Sequence, residues 1–105
     1  MLEVKNNKEV NIISINKSDR LTAATAEEVK IALTKVVSES KEKVVLNLSN
    51  IKFIDSTGIG VIISALKTAR QNNNNFYLCC VQDDVMSLLK LMKLDKVFDI
   101  YSKEN

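Results

Sequence analysis

Both glycines of this 105-residue chain, Gly58 and Gly60, stand in one stretch, Ile54-Asp55-Ser56-Thr57-Gly58-Ile59-Gly60. Soluble domains average about 7% glycine, so a chain of this length ordinarily carries several more, scattered through its turns. The apolar run before the stretch reads as a strand and the run after it as a helix, which makes the stretch a strand-to-helix turn. Its hydroxyls then lie at a helix N-terminus, where backbone N–H groups point outward and the helix dipole favours negative charge. Two residues without side chains let another backbone come close. A hydroxyl so placed, with nothing bulky beside it, suits phosphorylation and recognition by a partner.

The rest of the chain supplies the frame for that turn. Leu2 and Val4, then Val10, Ile12, Ile13 and Ile15, alternate with polar residues. Asn6-Asn7 lies between the two runs, and Asn tolerates the positive φ of a tight turn, so residues 2–5 and 9–16 are expected to pair antiparallel. Residues 16–21 read as a polar loop. Thr25-Ala26-Glu27-Glu28 fits a capping box, with Thr22 as an alternative cap. Ala26, Val29, Leu33, Val36 and Val37 follow at helical spacing to about Ser40. Val44 to Leu48 is nearly continuous apolar, as in a strand covered on both faces.

A helix is expected from about Thr57 to Gln71, with Ile59, Ile62, Leu66 and Ala69 as its core stripe. Val61 and Ala65 fall off that stripe, near the motif, as docking contacts or as residues buried under another helix. Asn72 to Asn75 ends this helix, asparagine standing where glycine is common. Phe76 to Val81 reads as a buried strand. Asp83 or Asp84 then caps a helix carrying Val85, Leu88, Leu89 and Met92, with Met86 and Leu91 widening its apolar surface. Val97 to Tyr101 forms a last strand or short helix. Strand and helix alternate from residue 10, so the expected fold is one α/β domain over residues 1–105, a mixed, mostly parallel sheet with flanking helices.

Composition excludes several functions. The apolar share of 46% and charged share of 27% are those of an ordinary globular protein. A net charge of +2, with lysines dispersed along the chain, argues against nucleic acid as a partner. No signal-peptide pattern or membrane-length apolar run is present, so a cytoplasmic protein that does not engage membranes is expected. Cys79 and Cys80 are neighbours in an apolar run; on a strand they point to opposite faces and stay reduced core residues. Histidine is absent, which removes Ser-His and Cys-His nucleophile pairs and the usual nitrogen ligand for zinc. No metal, no cofactor and no enzymatic activity are expected.

The residues from Val44 to Val61, Val-Val-Leu-Asn-Leu-Ser-Asn-Ile-Lys-Phe-Ile-Asp-Ser-Thr-Gly-Ile-Gly-Val, resemble the central block of bacterial anti-sigma factor antagonists of the STAS domain family. Thr25-Ala26-Glu27-Glu28 and Leu94-Asp95-Lys96-Val97-Phe98 are similar to further family features, so the resemblance covers the whole chain. It implies an antagonist that, unphosphorylated, binds an anti-sigma factor which is also a serine kinase of the histidine-kinase-like ATPase fold, and so frees a sigma factor. It implies that this kinase, with its own ATP and Mg²⁺, phosphorylates the serine after the motif aspartate, here Ser56, and that a serine phosphatase reverses the step. Partner contacts are expected from Asp55, Ser56, Thr57, Gly58, Ile59, Gly60 and Val61, and from Thr22 in the neighbouring loop. The family usually has a glycine in that loop and an aspartate just before the first helix. This chain has no glycine in residues 16–22 and has Thr22 after Leu21, a departure that bears on partner identity more than on fold.

Plainer readings stand beside these. Ser56 or Asp55 serves as a helix cap and nothing more; Thr57 is a second acceptor or a packing residue. A STAS scaffold in a stress-sensing or lipid-transport complex, never phosphorylated, is the alternative function. A Ser56 nucleophile with a lysine base lacks a convergent partner.

Overall fold

The computed structural model describes residues 2–102. Strand β1 (Leu2–Asn7) pairs antiparallel with β2 (Val10–Ile15), Leu2 opposite Ile15 and Asn7 opposite Val10. The register puts the tight turn at Lys8-Glu9, with Lys8 at φ 55°, two residues beyond the expected Asn6-Asn7. Both asparagines belong to the strand instead, and Asn6 Nδ2 donates to Asn11 Oδ1 across the pair at 2.7 Å.

A two-residue strand, β3 (Arg20–Leu21), follows within the segment expected to be loop, and helix α1 runs from Ala23 to Glu39. The helix starts earlier than Thr25. Thr22 is the N-cap and Thr25 its capping-box partner, with the Thr22 N–H donating to Thr25 Oγ1 at 3.2 Å. Ala26, Val29, Leu33 and Val37 are its buried stripe, at the spacing of one helix face.

Next come β4 (Lys43–Asn47), the short β5 (Phe53–Ile54) and helix α2 (Ser56–Gln71). Asn73, at φ 54°, turns the chain after α2 where glycine is common. Strand β6 (Phe76–Cys79) ends before Cys80, whose φ of 61° breaks the extended run expected to reach Val81. Helix α3 (Asp83–Leu91) is capped by Gln82 rather than an aspartate. Asp83 and Asp84 occupy its first turn, where carboxylates complement the dipole. Strand β7 (Asp99–Tyr101) closes the fold.

The main sheet has the order β1-β2-β4-β6-β7, parallel from β2 onward, and β3 with β5 forms a separate parallel pair. Alternation along the strands divides the apolar side chains between two faces. Ile13, Ile15, Val44, Leu46 and Leu78 join the buried stripes of α1, α2 and α3 in one core. Ile12, Val45 and Cys79 form a small cluster on the other face, with Val10, Tyr77 and Cys80 packed around it. The expected α/β domain with a mixed, mostly parallel sheet is what the chain forms. Leu91, counted as added apolar surface on α3, is 79% exposed.

Candidate functional site

The motif occupies the junction from β5 to α2, and its first job is to begin that helix. Asp55 is the N-cap, extended at φ −109° and ψ −176°, and its Oδ1 accepts the Gly58 N–H at 2.9 Å. Its Oδ2 accepts the Ala23 N–H at 3.2 Å, the first residue of α1. One carboxylate therefore serves the N-termini of two helices. These N–H donors, that of Gly58 foremost, favour the ionised form over the opposing effect of partial burial and hold the Asp55 carboxyl below its ordinary value of 3.8. The aspartate absent before α1 thus has a substitute from the other side of the junction.

The backbone ties the same two segments together. The Asp55 N–H donates to Leu21 O at 3.3 Å, and Lys52 and Phe53 both donate to Asp19 O, at 2.8 and 3.3 Å. Gly58 makes this closeness possible. A Cβ built there would overlap the Leu21 carbonyl oxygen and lie 2.8 Å from Ile54 Cγ1. Its φ is ordinary, so space, not conformational freedom, is what the position requires. Gly60 has nothing within 4 Å of where a Cβ would stand and is exposed.

Ser56 and Thr57 are exposed in the first turn of α2. Ser56 lies on the rim of an open groove of about 590 Å³ that runs between the junction and α3. Lys52, Phe53, Val85, Leu88 and Met92 line it, with Asp84 alongside. Phe53 is 48% exposed with the Arg20 guanidinium 5.1 Å above its ring, and Met92 is 43% exposed.

The expected contact residues therefore separate. Asp55, Ser56, Thr57, Gly60 and Thr22 reach the surface or its margin. Gly58 and Ile59 do not, and Val61 only lines an open pocket beside Thr57 and Gly60: Ile59 is 1% and Val61 4% exposed, both in the main core with Ala65. Gly58 fits against the Leu21 carbonyl and Ile54, while Ile59 and Val61 fill the core on the buried side of α2. The groove, and with it Phe53, Leu88 and Met92, escaped the sequence reading. Its one signal was the apolar excess of α3, which widens the helix's stripe beyond what the core takes up. Among the described residues no cluster of His, Cys, Asp and Glu could hold a metal ion, and no helix is long and apolar enough to cross a membrane.

A mixed α/β sheet whose only glycines mark a hydroxyl-bearing helix start defines a small class of domain. The family model described as STAS domain matches residues 1–105, and the chain belongs to that family. The anti-sigma F factor antagonist of Paenibacillus polymyxa is 30% identical over 94 residues, covering 89% of this chain and 80% of that protein. An anti-sigma-factor antagonist (STAS) domain protein from Planctomyces limnophilus superposes with a TM-score of 0.90 at 22% identity, over 98% of this chain and 91% of the other. The Bacillus cell fate determinant SpoIIAA in its phosphorylated form superposes with a TM-score of 0.72 at 12% identity, over 99% of this chain and 93% of the other. The family resemblance drawn from residues 44–61 is met.

Proposed function

We propose that this chain is an anti-sigma factor antagonist of the bacterial cytoplasm that docks, unphosphorylated, on an anti-sigma factor with serine kinase activity and so frees a sigma factor. Phosphorylation of Ser56 by that kinase turns docking off, and a serine phosphatase restores it. The observation that carries this reading is the exposed Ser56 at the first position of α2, on the rim of an apolar groove. Support comes also from the antagonist name of the Paenibacillus relative and the phosphorylated form in which SpoIIAA is known.

The switch acts at the interface rather than through the fold. A phosphate adds about −1.5 to −2 charges and three strong acceptors. At a helix N-terminus an anion is favoured by about 0.3–1 kcal/mol, so the modification leaves the fold standing. Against a partner surface packed over Phe53 and Met92, the same phosphate is buried unpaired or excludes the partner. A cost of about 3–4 kcal/mol weakens binding a few hundredfold, since each 1.4 kcal/mol is tenfold.

The test combines mass spectrometry after incubation with candidate anti-sigma kinases and ATP with calorimetry of Ser56→Ala and Ser56→Asp. Ser56→Ala binds like wild type and takes up no phosphate; Ser56→Asp keeps the fold and loses much of its affinity. Phosphate on Thr57 alone would move the acceptor by one residue. No phosphate with any such kinase favours the scaffold reading, and Ser56→Asp binding at wild-type affinity refutes the charge mechanism.

A further inference from the structure

The end of β6 holds a pair of groups that the switch at Ser56 does not use. Cys79 and Cys80 are both thiols, and their sulfurs lie 3.0 Å apart on the same side of the chain. This corrects the expectation that they point to opposite faces. Regular alternation stops at Cys79, the last residue of β6, and the left-handed backbone of Cys80 brings its side chain back over its neighbour. Cys79 is fully buried in the cluster with Ile12 and Val45. Cys80 is half-buried and lines a groove of about 320 Å³ with Val81, Met86, Ile100 and Tyr101. One thiol is open to a small reagent, and the other waits directly behind it.

We propose that Cys79 and Cys80 form a vicinal dithiol that small hydroperoxides oxidise to an intramolecular disulfide. The Cys80 thiolate attacks one peroxide oxygen; an S–O bond forms, the O–O bond breaks, and the leaving hydroxide takes a proton to become water. Cys79 then loses its proton and attacks the Cys80 sulfenic sulfur, forming the S–S bond, breaking S–O and releasing the second water. Two thiols and one hydrogen peroxide become one disulfide and two waters, sulfur oxidised by two electrons and peroxide reduced by two. A sulfenic acid beside a second thiol is resolved in this way before it oxidises further.

Closing the bond needs about 1 Å of approach from the present separation, because a disulfide spans about 2.05 Å. Adjacent Cα atoms stand about 3.8 Å apart across a trans peptide, short of the usual 4.4–6.8 Å span of a disulfide. The product is therefore strained and readily reduced, which makes the modification reversible. Its effect is felt along the sheet end, where Cys79 O accepts the Leu48 N–H and the Cys80 N–H donates to Tyr101 O, each at 3.0 Å.

The full chain is treated with hydrogen peroxide at neutral pH and read by intact mass and by alkylation. The expected result is a loss of two hydrogens, with both thiols withdrawn together from iodoacetamide and returned by dithiothreitol. Cys79→Ser leaves the Cys80 sulfenic acid without its resolving thiol. Wild type should therefore take up on the order of tenfold less dimedone than this variant. Cys80→Ser, which keeps the buried thiol, should resist peroxide until the chain is unfolded. Alkylation separates thiol loss from oxidation of Met86. The inference is overturned if wild type keeps both thiols, accumulates sulfinic acid, links two chains, or takes up dimedone as readily as Cys79→Ser.

Discussion

Replacing each glycine of the motif by alanine makes the same chemical change two residues apart in one helix, with opposite outcomes. In both, the helix gains about 1 kcal/mol of propensity. At Gly60 that gain stands alone, because the added methyl meets nothing within 4 Å. At Gly58 the methyl collides with the Leu21 carbonyl, which is backbone and cannot swing aside like a side-chain tip. Forcing a methyl into packed space costs typically about 1–3 kcal/mol. Displacing the Leu21 oxygen also weakens its bond from the Asp55 N–H, a further ~1 kcal/mol. Gly58→Ala should thus lose about 2 kcal/mol and Gly60→Ala gain about 0.5–1 kcal/mol. For a domain of this size each kcal/mol moves Tm by about 4–8 °C, so the two variants should melt at least ~10 °C apart. Urea unfolding followed by circular dichroism, at unchanged m-value, gives the sign directly. A Gly58→Ala protein as stable as wild type would refute the close approach of β3 to α2, and a Gly60→Ala protein clearly less stable would refute the open space at Gly60.

The carboxylate at the junction predicts an acid response. Asp55 has its folded pKa lowered below 3.8, so its stabilisation is complete above that value and disappears as pH falls through the lower folded one. Asp55→Asn should be less stable than wild type at neutral pH and converge on it in strong acid; parallel urea midpoints across that range would show that the charge is not involved. Lys8, at φ 55° in the hairpin turn, sits where a side chain is strained. Lys8→Gly should raise stability by about 0.5 kcal/mol, the relieved strain less the entropy of glycine, and a lower thermal midpoint would argue for a different turn.

The parts of this fold that sequence made plain are those where one periodicity runs long enough to be unambiguous. The Ile59, Ile62, Leu66 and Ala69 stripe and the Val44–Leu48 run lie buried as their spacing requires. What stayed hidden depends on contacts between distant segments. Strand β3 is two residues long and exists because Phe53 and Ile54 lie beside it, which no local pattern encodes. The start of α1 is set partly by a carboxylate 32 residues away. The same packing buries Ile59 and Val61 in the core, although both adjoin exposed Gly60 in the sequence. The serine and its aspartate were legible because a glycine pair singles them out; the groove beside them was not, because its walls come from two separate elements.

The carboxylate shared by two helix starts also affects how this edge meets another molecule. With Thr22-Ala23 and Asp55-Ser56 clamped to one anion, the surface around Ser56 is preassembled. Ordering a loop at an interface subtracts from binding, and here the backbone of both segments is already ordered by folding. On the proposed function, encounter then becomes a matter of orientation between rigid bodies, and phosphorylation of Ser56 changes how long the complex lasts rather than how the domain is shaped.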